Sequence, residues 1–413
     1  MFENDHTSPD VEVPAWTRYP AILQGIRVFE LADDSASFCG KLLVDFGADV
    51  IKVEKPRGDS SRPAPDDFFS SLGSPSYLYH NCNKRSITLD FEQAAGLEIL
   101  VELVSRADVL LESCPPGTLD KLGLAYEVLR DRNPRLVYAS VTAFGQTGRY
   151  RHWKSCDLVA GACGGQASVT GLPNREPLKL GGTQALYVGS LHAALGIVMA
   201  LIQRNATGRG DRLDISLQEA VASGLDHVLV RYFSTGAVAA KCGSRNWNGL
   251  SFIVPCSDGW LQIFPFQQWD TLVDWMNAED MAGPLSDPLY KEAEYRRTHF
   301  EVVEQTISRW TRMHTRAELF ETAQLMGFPW APVCTLPEVL ASPQLNERDF
   351  FVPLKGVRDS MLQPGPPYLF LTSVASAQRS SSPAPGRENM QVYRDELGFS
   401  EAELERLASI GVI

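Results

Sequence analysis

Strand and helix patterns alternate along the first 140 residues of the chain. Residues 26–31, IRVFEL, and 49–54, DVIKVE, are rich in apolar and β-branched residues, and a helical pattern, SFCGKLLVDFGA, separates them. The alternation continues with the strand patterns DVLLES at 108–113 and LVYASV at 136–141. Strands without a clear polar face are typical of parallel sheets covered by helices on both sides. The sequence therefore predicts an α/β fold with a doubly wound sheet.

The composition changes near residue 226, which predicts a second domain. Aromatic strand patterns in SFIVPCSDGWLQIFPF precede amphipathic helical patterns such as FEVVEQTISRW. A helical run at 219–233, EAVASGLDHVLVRYF, leads towards this region. We predict a first segment of a large α/β domain over residues 1–225 and a smaller α+β domain over 226–330. Residues 331–413 are predicted to return to the large domain.

The overall composition restricts the classes of partner and compartment. The formal net charge of -12, with scattered basic residues, argues against nucleic-acid binding. The eight cysteines form no C-x-x-C pair and indicate reduced thiols. The N-terminus has acids and prolines where a signal peptide would have a basic start and an apolar run. The longest apolar segment, residues 191–202, is shorter than the roughly 20 residues that span a bilayer, so we expect a cytoplasmic protein with no membrane partner.

Single motifs identify no chemistry in this chain. The loop after the first strand, ELADDSAS, lacks G-x-G-x-x-G, so a dinucleotide is not the expected ligand. The seven histidines are dispersed, and no metal site is predicted. His192 follows an apolar helical pattern and is predicted to be a hydrogen-bonded core histidine. Local patterns alone indicate only a soluble, enzyme-like α/β protein.

A series of blocks in a fixed order is more specific than any single motif. Together these blocks closely resemble the class III CoA-transferase family, also called the carnitine dehydratase/bile-acid-inducible type. The resemblance covers nearly the whole chain from about residue 25. The blocks are GADVIKVEKPRGDSSR (47–62), NKRSITLDF (83–91), PPGTLDKLGLAYEVL (115–129), FGQTGRY (144–150), CDLVAGACGGQASVTG (156–171), TGRGDRLDISLQEAV (207–221), SDGW (257–260), PWAPV (329–333), SPQLNERDFF (342–351) and ELGFS (396–400).

The resemblance implies a Rossmann-like large domain, a smaller domain and two subunits interlocked like chain links. It also implies that coenzyme A lies between the large domain of one subunit and the small domain of its partner. Coenzyme A thioesters would be substrates, with no permanently bound cofactor. In this family an aspartate attacks the acyl-CoA thioester and forms a mixed anhydride, from which CoA passes to another carboxylic acid.

The family's nucleophilic aspartate is missing from the matching helix of this chain. The family pattern resembles G-x-x-x-A-D-x-x-x-G-x-x-A-A-x-G-I, and residues 181–197 are GGTQALYVGSLHAALGI. Aligning the two places Leu186 at the aspartate position. The racemases of the family use the same aspartate and a histidine before a second aspartate, but here Cys156 precedes Asp157. No catalytic residue is therefore predicted in this chain.

The resemblance also implies positions that contact coenzyme A. Three of them are lysines, which suit phosphates as mobile charges but are also common on solvated surfaces. The family's Asn-Phe pair before Pro-Gly is replaced by Ser113 and Cys114, and two acids, Asp33 and Asp34, stand in the first loop. The block with Lys84 and Arg85 is predicted to shape a turn and pair with acids. The predicted contact positions are Ser35, Ala36, Lys55, Leu89, Ser113, Lys121, Lys154 and Asp157.

These features predict a non-nucleophilic subunit of a heteromeric CoA-transferase whose homologous partner supplies the aspartate. The sequence most resembles the benzylsuccinate type of the family, which moves CoA from succinyl-CoA to an aromatic dicarboxylic acid in toluene breakdown. Two alternatives stay open: an acyl-CoA racemase or lyase that uses Tyr187 or His192, and a non-catalytic acyl-CoA-binding protein. Four aromatic residues of the small domain suit an aryl substrate but are more typical of a core: Trp247, Phe252, Trp260 and Phe264.

Overall fold

A computed structural model describes residues 21–62, 74–249, 251–354, 361–368, 370 and 380–413 of the chain. Its strands are β1 (Arg27–Leu31), β2 (Asp49–Glu54), β3 (Arg85–Thr88), β4 (Val109–Glu112), β5 (Val137–Thr142), β6 (Arg212–Ser216), β7 (Phe252–Cys256), β8 (Gly259–Ile263), β9 (Ala331–Pro332), β10 (Phe351–Pro353) and β11 (Leu362–Pro364).

Most of the helices lie between these strands. They are α1 (Ser37–Asp45), α2 (Pro75–Asn81), α3 (Ala94–Ser105), α4 (Thr118–Lys121), α5 (Tyr126–Arg132), α6 (Asp157–Cys163), α7 (Gln166–Val169), α8 (Gln184–Thr207), α9 (Leu217–Ser223), α10 (Asp226–Thr235), α11 (Trp269–Asn277), α12 (Ala293–Thr298), α13 (Phe300–Thr311), α14 (Arg316–Leu325), α15 (Leu336–Leu340), α16 (Pro343–Glu347) and α17 (Glu401–Ser409). Two 3-10 helices, Gly283–Ser286 and Pro288–Lys291, and a π-helical segment, Met390–Glu396, complete the described elements.

The described chain forms two compact units. The described residues of the first unit lie within Met1–Gln166, Leu180–His227 and Glu347–Ile413, and those of the second within Ala167–Lys179 and Val228–Asn346. The domain boundaries that the sequence analysis gives, at residues 226 and 331, remain a prediction.

A six-stranded parallel sheet organises the first unit. Its strand order is β3-β2-β1-β4-β5-β6, the order of a Rossmann-type sheet. Successive residues of β1 point to opposite faces, so Val28 packs in one core cluster and Phe29 in another. Leu404 and Leu407 of α17 join the second cluster. Because both faces are buried, the strands need apolar residues at successive positions, and the predicted α/β class is confirmed.

The second unit has its own antiparallel sheet and core. Strands β7, β8 and β9 pair in that order, and α11, α13 and α14 cover them. Its buried aromatic residues include Phe252, Trp310 and Trp330. A separate antiparallel pair, β10 and β11, belongs to the C-terminal part of the chain.

Three local predictions need correction. Residues 219–233 form parts of two helices, α9 and α10, because α9 ends at Ser223 and Gly224 caps it. The RSIT segment of the NKRS block forms β3, a buried edge strand, whereas the sequence pattern predicts a turn. Helix α8 has 24 residues, about twice the predicted apolar segment, and is long and apolar enough to span a membrane. Its inner face, with Ala193 and Ile197, instead belongs to the core of the first unit.

The turn after α8 lies close to the loop before β5 at Gly210, and a substitution of this glycine tests that close approach. A Cβ atom at Gly210 would lie 1.9 Å from the carbonyl oxygen of Leu136, so Gly210→Ala must displace the backbone. We expect the free energy of unfolding to fall by about 1–3 kcal/mol, measured by urea denaturation.

Gly196→Ala within α8 is the matched control. The nearest atom to its added Cβ is Leu213 Cδ1 at 3.4 Å, an ordinary contact distance. Alanine also favours the helix, so stability should be unchanged or rise by up to about 1 kcal/mol. Equal losses in the two variants would contradict the proposed clash.

Candidate active site

The loop after β1 is fixed at both ends by buried lysines. Lys52 Nζ donates a hydrogen bond to the carbonyl oxygen of Ala32 at 2.6 Å, and Lys84 Nζ donates to that of Ser37 at 2.9 Å. Both ammonium groups also contact the carboxylate of Glu30, at 3.4 and 2.8 Å. The three charged side chains are buried. The prediction that Lys84 pairs with an acid is confirmed.

A second acid completes the charge balance around Lys52. Its ammonium group lies 2.7 Å from Asp59 Oδ2. Burial would raise the pKa of Asp59, but Lys52 and hydrogen bonds from Ser61 hold that pKa below its ordinary value. Burial likewise would lower the pKa of Lys52, while Glu30 and Asp59 raise it above the ordinary value. The charged forms are therefore the ones that the folded protein stabilises.

Several predicted contact positions meet around this loop. The Asp33 amide donates to Ser113 Oγ at 2.9 Å, and that hydroxyl donates to Asp33 Oδ1 at 2.8 Å. Ala36 is fully buried at the start of α1. The carbonyl oxygen of Ser35 accepts a hydrogen bond from Ser190 of α8 at 3.5 Å. The structure thus brings Ser35, Ala36 and Ser113 together beside α8.

This meeting place lies at the carboxyl ends of β1 and β4. The two strands are neighbours, and the chain leaves β1 towards β2 on one side and enters β4 on the other. Open α/β sheets bind ligands in the crevice at such a switch point, outside the carboxyl ends of the strands. The loop with Ser35 and the turn with Ser113 lie at this switch point of the sheet.

Helix α8 begins next to the loop, with Leu186 in its first turn. Leu186 is half-buried and packs against the apolar cluster on one face of the sheet. The carboxylate of Asp157 accepts hydrogen bonds from the amides of Ala185 at 2.9 Å and Leu186 at 3.4 Å. Such an acceptor satisfies free N–H groups and favours the positive end of the helix dipole. Asp157 therefore caps α8.

Tyr187, the residue after Leu186, contacts a buried histidine. Its hydroxyl oxygen lies 3.2 Å from His80 Nε2, and the rings of Phe38 and Tyr187 pack edge to face with centroids 4.6 Å apart. Burial, together with the charges of the nearby Lys84 and Lys41, lowers the pKa of His80 to about 4. His80 is therefore neutral at pH 7.

Asp34 adds another perturbed group at this place. Burial, with the charges of Asp59 and Asp33, raises the pKa of its carboxyl. Burial and the charge of Asp34 in turn raise the pKa of Tyr187. The sequence singles out Asp34 and Tyr187 separately but gives no sign of His80, which lies 107 positions from Tyr187.

The remaining predicted contact positions are dispersed. Lys55 is exposed, and its ammonium group pairs with Glu92 at 2.8 Å. Lys121 and Lys154 are also exposed. The Leu89 side chain is fully buried in the core. The three lysines therefore lie on the surface of the first unit, whereas Leu89 lies in its interior.

The other catalytic candidates differ in their surroundings. His192 is exposed, with Nδ1 2.9 Å from the carbonyl oxygen of Val188, so the prediction of a core histidine is wrong although its hydrogen bond is present. The prediction fails because His192 lies on the outer, solvent-exposed face of α8. Cys156, before α6, is exposed as well. Within the described residues, no group of three or more histidine, cysteine, aspartate or glutamate side chains is arranged to hold a metal ion.

Comparison with known proteins identifies similar sequences and folds. The model of CoA-transferase family III matches residues 23–389. The succinyl-CoA:(R)-benzylsuccinate CoA-transferase subunit BbsE of Thauera aromatica is 32% identical, over 94% of this chain and 97% of that protein. The formyl-CoA:oxalate CoA-transferase of Streptomyces avermitilis is 33% identical, over 95% and 99%. A crystal structure of a CAIB/BAIF family protein from Brucella suis superposes with a TM-score of 0.81 at 30% identity, over 91% and 100%.

His80→Phe should remove a pH dependence of stability. An unfolded histidine has a pKa near 6.5, whereas His80 in the folded protein has a pKa of about 4. Because the folded pKa is the lower one, the stabilisation is present above pH 6.5 and is lost as the pH falls towards 4. Between pH 7 and pH 5 the wild type should lose about 2 kcal/mol more than His80→Phe, measured by urea denaturation.

Tyr187→Phe is the control for this measurement. It removes the hydrogen bond but leaves His80 buried, and burial is the main cause of the lowered pKa. Most of the wild-type difference between pH 7 and pH 5 should therefore remain. If His80→Phe loses as much stability as the wild type, His80 is not the titrating group.

Proposed function

We propose a function for this chain from its family: the chain belongs to CoA-transferase family III. The family moves CoA between acyl-CoA thioesters and carboxylic acids, and the resemblance seen in the sequence is confirmed at this level. We propose that this chain is the non-nucleophilic subunit of a heteromeric, cytoplasmic CoA-transferase. The observation that carries the proposal is Leu186 in the first turn of α8, where the family pattern has its aspartate.

The reaction needs a carboxylate at that position. A carboxylate oxygen attacks the thioester carbon and the C–S bond breaks, which releases CoA as a thiolate and leaves a mixed anhydride of the enzyme carboxylate and the donor acid. The acceptor carboxylate then attacks the enzyme acyl carbon and displaces the donor acid. Attack of the thiolate on the acceptor's acyl carbon gives the new thioester and restores the enzyme carboxylate. The leucine side chain has no lone pair and cannot form the anhydride. The carboxylate of Asp157 near this helix end is engaged by two backbone amides.

We propose that coenzyme A lies against the switch-point crevice. The backbone of Ser35 and Ala36 and the Ser113 hydroxyl would approach its pantetheine arm. Lys55 would reach the phosphates, since its pairing with the exposed Glu92 is weak and exchangeable. Lys121 and Lys154 would add mobile positive charge. Leu89 and Asp157 would act without touching the ligand: Leu89 packs in the core, and Asp157 caps α8.

An exposed apolar stripe on α8 supports a homologous partner subunit. We define this stripe by its four members, spaced four, four and three residues apart along one face of the helix: Leu191, Leu195, Met199 and Ile202. Their side chains are 45–65% exposed. A contiguous exposed apolar surface of this kind marks an interaction site. We propose that the partner, which supplies the nucleophilic aspartate, covers the stripe in an interlocked dimer.

We propose succinyl-CoA as the donor and an aromatic dicarboxylic acid as the acceptor, as in anaerobic toluene breakdown. The support is the similarity to BbsE, which is a subunit of a succinyl-CoA:(R)-benzylsuccinate CoA-transferase. Relatives that act on oxalate are equally similar, so the acceptor must be tested directly.

Tyr187 supports a second candidate function. Its hydroxyl lies 3.2 Å from the neutral His80, so the pair has the reach for proton transfer. An acyl-CoA racemase or lyase built on this pair would act without a partner. Exchange of the substrate's α-proton by this chain alone, lost in Tyr187→Phe, would favour that function over CoA transfer.

CoA exchange between succinyl-CoA and benzylsuccinate tests the main proposal. We expect this chain alone to turn over at least about 10⁴-fold more slowly than its mixture with the partner subunit, because a covalent nucleophile is missing. Leu186→Met should leave the activity of the mixture unchanged. Replacement of the partner's nucleophilic aspartate by asparagine should abolish it. CoA transfer by this chain alone would contradict the proposal.

Leu195→Lys tests the contact with the partner. A lysine in the middle of the stripe would bury an unpaired charge, so we expect at least about tenfold weaker association, measured as mass by light scattering after gel filtration. The control is Leu325→Lys, at a leucine of α14 that is 90% exposed. Unchanged mass for Leu195→Lys, or equal loss in both variants, would contradict the proposed contact.

A further inference from the structure

A large open groove lies within the second unit. Its volume is about 1140 Å³, and its walls are α10, the loop at residues 241–249 and the helices α12 and α13. It is large enough for a ligand of a few hundred daltons. No residue of the switch-point crevice lines it.

The groove is positively charged in an acidic protein. It is lined by five cationic side chains and three carboxylates, a surplus of two positive charges, while the whole chain carries -12. Local fields of this kind attract anions against the overall charge of the protein. The five cations are Arg231, Lys241, Arg245, Arg296 and Arg297.

The cations differ in their availability to a ligand. Arg245 pairs with Glu304 at 2.6 Å, and Arg297 with Glu294 at 2.5 Å. Lys241 donates a hydrogen bond to the carbonyl oxygen of Arg175. Arg231 is exposed, and within the described part of the chain its guanidinium forms no ion pair. Arg231 can therefore bind an anion without first leaving an ion pair.

Aromatic rings line the same space. Trp247 is 54% exposed on the loop, and Phe266 and Phe300 are half-buried in the wall. The guanidinium of Arg245 lies 4.1 Å from the ring centre of Phe300. Of the four aromatic residues that the sequence singles out, Phe252 and Phe264 belong to the core, while Trp247 and Trp260 are exposed. Trp247 therefore offers an exposed indole ring for stacking.

We infer that the groove binds an aromatic dicarboxylate. The aromatic ring of the ligand packs against Trp247 and Phe300, and a carboxylate pairs with Arg231. The surplus of two positive charges matches a dianion. An aliphatic dicarboxylate lacks the ring, and a neutral aromatic alcohol lacks the charge, so both should bind more weakly. The use of the bound acid as the CoA acceptor rests on the proposed function, whereas the binding itself does not.

Calorimetric titration of the purified full-length chain with three probes tests the inference. The probes are benzylsuccinate, succinate and benzyl alcohol, in the absence of CoA. We expect benzylsuccinate to bind at least about tenfold more tightly than either of the others. The affinity for benzylsuccinate should fall as the salt concentration rises. Equal affinities for the three probes would overturn the inference.

Three variants locate the binding in the groove. Arg231→Gln and Trp247→Ala should each weaken benzylsuccinate at least about tenfold, with circular dichroism showing an unchanged fold. The control, Arg309→Gln, changes an arginine of α13 that does not line the groove, and it should bind like the wild type. Wild-type affinity in Arg231→Gln and Trp247→Ala would overturn the assignment.

A last titration separates the groove from a subunit contact. If adding the partner subunit abolishes benzylsuccinate binding, the groove is a protein contact surface and the inference fails. If binding persists but the complex transfers no CoA, the groove stands and the proposed function fails. If the complex transfers CoA but benzylsuccinate does not bind to this chain, the proposed function stands and the inference fails.

Discussion

The contact of one buried carboxylate with two buried lysines connects three strands of the sheet. Glu30 is on β1, Lys52 on β2, and Lys84 immediately precedes β3. Buried ion pairs add little net stability over apolar packing, but losing one partner costs about 3–5 kcal/mol because a charge is left uncompensated. Here the lysines also hold the carbonyl groups of Ala32 and Ser37. The position of the crevice loop, and of the side of α8 beside it, therefore depends on this charge cluster.

Much of the fold follows from patterns that lie within short windows of sequence. The strands of the parallel sheet are buried on both faces, so their apolar runs are long enough to be recognised without any tertiary information. Strand β3 has only four residues, RSIT, two of them with hydroxyl groups, so its own sequence is a weak strand signal. Its backbone pairing with β2 stabilises it as a strand. The break between α9 and α10 at Gly224 likewise gives only a weak local signal, since glycine also occurs inside helices.

The candidate site is less predictable because its contacts join distant parts of the chain. Leu186 can be placed from the helix pattern, and the pairing of Lys84 with an acid can be foreseen as a type of contact. The partner itself, Glu30, lies 54 positions away. His80 cannot be identified, since nothing near it in the sequence reports its burial or the hydroxyl of Tyr187. The sequence also does not show which face of an apolar helix is exposed to solvent, and for this reason it wrongly predicts His192 in the core.

Helix α8 carries position 186 and the exposed apolar stripe at separate places, so each can change without the other. Position 186 lies in its first turn against an apolar cluster, and the stripe begins at Leu191 on the outer face. An aspartate at 186 would set a charge beside that cluster, whereas leucine adds apolar contact and favours folding. Under the proposed function, a leucine at position 186 therefore stabilises the fold and leaves the surface of the stripe unchanged. In such a pair of subunits, reversion from leucine to aspartate would have to overcome this folding advantage.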